Sequence, residues 1–164
     1  MRHALASLVL ALFLFPSIAM GETVKYEELV ITNGLYYKKF TNIPFTGKVT
    51  GKKQGSFKKG VMDGAWVEYN KDGRVSREVT YKIGKEDTSV GYRYHLNGQL
   101  RSKGTFKDGK SDGPWVIYHD NGQLAGKVTF KDGKRDGPWV GYLPDGTVWE
   151  EHTGTYKNDV KISD

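Results

Sequence analysis

The chain has 164 residues, no cysteine and a formal net charge of +6. Without cysteine it can have no disulfide, thiol nucleophile, thiolate metal site or lipid-modified cysteine, so it must fold on packing alone. The length suits one ordinary domain, and the mild positive charge is mixed with acids throughout, which keeps a protein soluble and argues against a nucleic-acid partner.

In chain order, Arg2 and His3 precede an apolar run from Ala4 to Phe15, followed by Pro16 and small residues up to Gly21. This three-part pattern predicts a secretory signal peptide over residues 1–21, helical and cut before Glu22. The apolar run is shorter than the roughly 20 residues a membrane-spanning helix needs. The expectation is therefore an exported protein of the periplasm, cell surface or medium, whose mature form begins at residue 22.

Residues 22–44 predict an N-terminal hairpin or cap, because "ELVITNGLYYKKF" places two strand-like runs around Asn33-Gly34. Residues 45–164 predict a repeat domain. Its first unit, "NIPFTGKVTGKKQGSFKKG", is degenerate, as a terminal unit capping an open sheet would be. The stretch "TFKDGKSDGPW" from Thr105 recurs as "TFKDGKRDGPW" from Thr129, with Arg135 standing where the first copy has Ser111. Around it run columns in one register at intervals of 24 to 26 residues: Phe57, Tyr81, Phe106, Phe130 and Tyr156, then Tyr69, Tyr94, Tyr118 and Tyr142. Trp66, Trp115 and Trp139 form a third column, in which the second unit has Gly91. A fixed period of this length signals an array of one supersecondary unit.

Each unit reads as two strands. Asn121-Gly122 separates them and Asp132-Gly133 closes the second, both predicting type I′ turns. Gly113-Pro114 and Gly137-Pro138 predict a bulge or kink at strand entry. Alternation sends Trp115 and Ile117 to one face and Val116 and Tyr118 to the other. Aromatic rings supply burial that the sparse aliphatic residues do not. Near the end, Trp149 and "EEHTG" lengthen the last unit, and "KNDVKISD" predicts a frayed edge strand. The fold expected is all-β, an elongated single-layer antiparallel sheet of tandem hairpins. Charge is uneven along it, with lysines concentrated over residues 22–63 and acids over 137–164, a layout compatible with head-to-tail self-association.

The columns "FKDGKxDGPWVxY" and "xDNGQL", from about Phe45 to Tyr156, resemble the MORN repeat, and more closely its bacterial variant form. That resemblance implies hairpins stacked into a twisted antiparallel sheet. It also implies a scaffold that binds proteins or membrane lipids, and for some bacterial variant members an antitoxin role. Asp112 and Asp136 stand where His is common in the eukaryotic pattern, and Trp stands where Gly is common, so lipid is the weaker expectation.

No catalytic, cofactor-binding or metal-binding residue is expected. His95 and His119 share a column, but equivalent strands two apart put them about 10 Å from each other, too far for one zinc ion, so they read as solvated turn residues. Asp108, Asp112, Asp132 and Asp136 lack calcium-loop spacing and suit turns. Glu150, Glu151 and His152 are what a hydrolase would have to use, with no nucleophile beside them. A binding ladder of Trp66, Tyr69, Tyr94, Trp115, Tyr118, Trp139 and Tyr142 is the candidate site; the alternative is that these rings only pack repeat against repeat. A protein is the expected partner, with a cell-wall glycan or membrane lipid as the alternatives.

Overall fold

A computed structural model of the chain describes residues 21–164. The expected signal helix lies outside the described residues, apart from Gly21. Runs of β-branched and aromatic residues between turn dipeptides become strands. They are β1 (Glu22–Lys25), β2 (Leu29–Thr32), β3 (Leu35–Lys38), β4 (Gly47–Thr50), β5 (Lys53–Lys58), β6 (Val61–Tyr69), β7 (Val75–Lys82) and β8 (Lys85–Tyr94). The series continues with β9 (Leu100–Lys107), β10 (Lys110–Tyr118), β11 (Leu124–Lys131), β12 (Lys134–Gly141), β13 (Gly154–Lys157) and β14 (Val160–Ser163). A single 3-10 turn, Tyr26–Glu28, links β1 to β2.

Twelve strands form one open sheet in the order β1-β4-β5-β6-β7-β8-β9-β10-β11-β12-β13-β14, and β2 and β3 pair separately as the hairpin expected around Asn33-Gly34. From β4 onward every neighbour is antiparallel and adjacent in sequence, so the sheet is a series of hairpins. At the usual strand spacing it extends about 50 Å across the strands. One pairing has no counterpart in the sequence reading: β1 lies parallel to β4, with Glu22 opposite Gly47. The tail, expected to fray, is ordered as β14 against β13.

The two edges of the sheet use different turns. At one edge Asp132 (φ 50°) and Gly133 (φ 86°) are both left-handed, as a type I′ turn requires. At the other edge the expectation is corrected, since only Gly122 (φ 83°) is left-handed there. The His119 amide donates to the Gln123 carbonyl (2.8 Å) and the Gly122 amide to the His119 carbonyl (3.0 Å), which makes a three-residue loop with a type I turn and a glycine bulge. Asn121 is held in the right-handed region because its carboxamide accepts from the Gln123 amide (2.9 Å) and donates to the Pro144 carbonyl (3.1 Å) of the next unit. The bulges expected at Gly-Pro are present, as register shifts between Ser111 and Trp115 and opposite Val128 to Phe130.

Residues paired across strands share a face. Trp66 pairs with Val79, Trp115 with Gly104 and Val128, and Trp139 with Val128 and Gly154, which defines the tryptophan face. Their chain neighbours, paired as Ala65 with Thr80 and Val116 with Lys103, define the other face. The core sits at the N-terminal end, where Val24, Phe45, Val49, Phe57, Trp66 and Val79 are buried under Tyr26, Leu29 and Tyr36. The segment before β4 thus adds a second layer there, with Tyr36 4.7 Å from Phe57 between ring centres. Burial and the Tyr36 hydroxyl raise the Tyr26 phenol above its ordinary range, keeping it neutral in that layer.

Candidate binding surfaces

The ladder residues divide into two groups. The tryptophans are packing elements of their face. Trp66 is 1% exposed and lies edge-on to Phe57 (5.0 Å) and Tyr81 (6.1 Å). Trp115 stands between Phe106 (5.1 Å) and Phe130 (5.6 Å), its indole N–H donating to the Thr105 carbonyl (3.2 Å). Trp139 packs against Tyr156 (5.4 Å) and His152 (5.7 Å). A Cβ on Gly104 would overlap the Trp115 ring, so glycine there is a condition of the ring's position. In the second unit, where Gly91 replaces the tryptophan, Phe106 leans over the gap, and Arg77, Glu86 and Ser89 form a hydrogen-bonded cluster beside it.

The tyrosines, by contrast, sit at or just beyond strand ends, beside the loops that contain Asp72-Gly73, Asn97-Gly98, Asn121-Gly122 and Asp145-Gly146. Tyr94 donates its hydroxyl to the Val75 carbonyl (2.8 Å), and the Tyr69 amide donates to the Lys52 carbonyl (2.8 Å). The carbonyls of Tyr118 and Tyr142 receive His95 Nε2 (2.9 Å) and His119 Nε2 (2.8 Å). The histidines are therefore corrected from solvated residues to links between successive units. Sequence spacing placed them too far apart for a shared metal, but it could not show what each ring reaches.

The other face carries an open trough of about 650 Å³ across β6 to β10, lined mainly by apolar atoms of small side chains, among them Ala65, Val67, Thr80, Thr88, Val90 and Pro114. Glu78 also lines it, and accepts from the Tyr92 hydroxyl (2.8 Å). Burial first, then that bond, raises the Tyr92 phenol above its ordinary value. At the Asn-Gly edge a recess of about 570 Å³ is lined by Lys71, Arg74, Arg93 and Arg101 with Tyr92 and Tyr94, and Asp72 is the one carboxylate among its lining residues. At the Asp-Gly edge a third recess of about 560 Å³ mixes Lys107, Lys110 and Lys131 with Asp108, Asp112, Asp132 and Asp136, so its charges offset one another. Neither the trough nor the basic recess was singled out in the sequence. A signal for the recess existed in the arginines that break the repeat columns.

Among the described residues, no group of three or more His, Asp or Glu is placed to hold a metal ion. His152 stacks on Trp149 (3.8 Å), and its Nδ1 is buried without a hydrogen bond. Glu150 and Glu151 point away into solvent as exposed residues.

The family model for the MORN repeat variant matches residues 62–82, 90–108 and 111–132. Residues 62–132 thus carry three repeats of the MORN-variant family. Each match is centred on one Asn-Gly or Asp-Gly loop, so the family's unit is the hairpin closed at that edge, β6–β7, β8–β9 and β10–β11. MORN repeats are non-enzymatic modules that bind proteins or membranes. No curated protein matches the chain.

Proposed function

We propose that this MORN-variant protein is an exported, non-catalytic scaffold that binds a partner protein along the trough face of its sheet. The observation that carries this reading is the contrast between the faces. Rings on the tryptophan face are used in packing, Trp66 completely, whereas the trough crosses five strands and is lined by exposed or half-exposed small side chains. A site of that shape accepts an extended segment better than a compact molecule. Sugar binding by stacking requires open ring faces, which favours a protein over a glycan. Export rests on the leader pattern of residues 1–21. An antitoxin or immunity role is the specific form this reading takes in, with the partner a toxin whose working surface the scaffold covers.

The test is capture of envelope proteins by the mature chain, compared with Ala65→Arg/Thr88→Arg and with Trp115→Ala/Trp139→Ala. The trough pair is expected to abolish capture with unchanged thermal unfolding, whereas the ring pair lowers the unfolding temperature. Retention of every partner by the folded trough variant would reject the trough as the site.

A further inference from the structure

Residues that every unit shares are accounted for by the stack, so function is sought where one unit departs from the others. The recess at the Asn-Gly edge is such a departure. At the positions of Arg74 and Arg101 the third unit carries Gln123 and Ala125, and at that of Lys71 it carries Asp120. The third unit makes the same strands and the same loop, so the architecture does not need these cations.

The recess is also built. Gly98 leaves the space in which the Arg74 guanidinium lies, since a Cβ there would overlap it, and the ring of Tyr94 faces that guanidinium at 5.6 Å. The Tyr94 ring is itself fixed by its hydroxyl bond to Val75 (2.8 Å). Arg74 approaches Asp72 only to 3.8 Å, and among the described residues Arg101 has no carboxylate partner. Arg93 pairs with Ser102 and so belongs to the tryptophan face, which leaves three cations, Lys71, Arg74 and Arg101, beside the single acid Asp72 on the trough side. Ser76 and Tyr92 line the recess, while Glu78 and Val90, two residues along the same strands and on the same face, line the trough. The recess therefore adjoins the trough on the same face, and Leu96 stands fully exposed at its rim.

We propose that the recess holds carboxylates of the bound partner: the trough's ligand is an extended polypeptide segment with acidic side chains at the end that reaches Lys71, Arg74 and Arg101. This rests on the protein-binding reading above and names the chemistry of its partner. Guanidinium groups pair with carboxylates through paired hydrogen bonds, and a fixed guanidinium loses little freedom in doing so. These cations stand beside a trough on one face of the sheet, an arrangement that suits an extended segment better than a flat bilayer surface.

The experiment uses arrays of short synthetic peptides probed with the purified protein, followed by solution affinities for the best spots and for phosphatidylglycerol vesicles. Lys71→Asp/Arg74→Gln/Arg101→Ala, whose residue types the third unit already tolerates, is compared with the trough pair Ala65→Arg/Thr88→Arg. Bound spots are expected to be enriched in Asp and Glu. Replacing those acids with Asn and Gln should weaken binding by about tenfold or more, and the triple variant should lose as much. Added salt should weaken binding by the wild type more than by the variant. Spots without acidic preference, bound equally by the triple variant but lost in the trough pair, would overturn this inference and leave the protein-binding reading standing. Failure to bind any peptide, or binding unaffected by either variant, would overturn both. Vesicle binding lost in the triple variant without peptide binding would assign these cations to a membrane surface instead.

Discussion

At the residue scale, small side chains set the positions of large ones. Gly104 and Trp115 are opposite each other, and the indole lies over the glycine. Gly104→Ala is expected to cost about 2 kcal/mol by forcing the ring aside. In a Trp115→Ala background the same change should cost almost nothing, because the obstruction is gone. Urea unfolding of the four proteins measures this, and equal costs in both backgrounds would show that the contact does not matter. His119 poses a similar question at the edge, where its Nε2 bond to the Tyr142 carbonyl (2.8 Å) joins two units. His119→Ala should lose about 1 kcal/mol, the usual net worth of a hydrogen bond, with little change elsewhere in the sheet.

At the element scale, the one letter that distinguishes the two copies of the repeated phrase has a structural task. Ser111 donates nothing to the following hairpin through its side chain, whereas Arg135 bonds through Nε to Asp159 (3.0 Å) and lies over Tyr156 (4.5 Å) and Trp139 (4.8 Å). The β13–β14 hairpin, whose turn is Asn158-Asp159 with no glycine, is held by this arginine. Arg135→Ser should lower hydrogen-exchange protection in β13 and β14 by about 1 kcal/mol while β9 to β11 keep theirs. The Asp159 carboxyl is held below the ordinary carboxylate value, first by the Arg135 amide and then by its side chain. A depressed folded value means that the stabilisation is present above the unfolded value and lost as pH falls through the folded one. Protection of this hairpin should therefore weaken below about pH 4, and protection unchanged in acid would remove Asp159 from the account.

The hairpins were legible in the sequence because their cause is local, the aromatic columns and the Asp-Gly and Asn-Gly steps. The short strand β1 was not, because "ETVK" carries too little alternation to announce itself and its partner lies beyond another hairpin. Nor was the trough, which depends on how neighbouring strands bend together rather than on any one run of residues. The basic recess was legible in principle, since Arg74 and Arg101 stand where Gln123 and Ala125 stand later, but counting charge from end to end hid it.

At the scale of the whole molecule, each hairpin touches chiefly the hairpins beside it, so stability should be close to a sum of units and neighbour contacts. Removing residues 105–128 joins Gly104 to the second copy of "TFKDGK" and leaves the strand phrase intact. The shortened protein should keep its β-type circular dichroism and unfold with a smaller urea slope, in proportion to the surface lost. Collapse to an unfolded chain would show that the units depend on distant ones. The pairing of β1 with β4 is the exception to this neighbourly order, since Glu22 must find Gly47 across the intervening β2–β3 hairpin. Every other strand can zip onto the one just made, at the small entropic cost of a tight loop. The first residues of the sheet to leave the ribosome are thus among the last to settle, and they close the assembly as a clasp closes a bracelet.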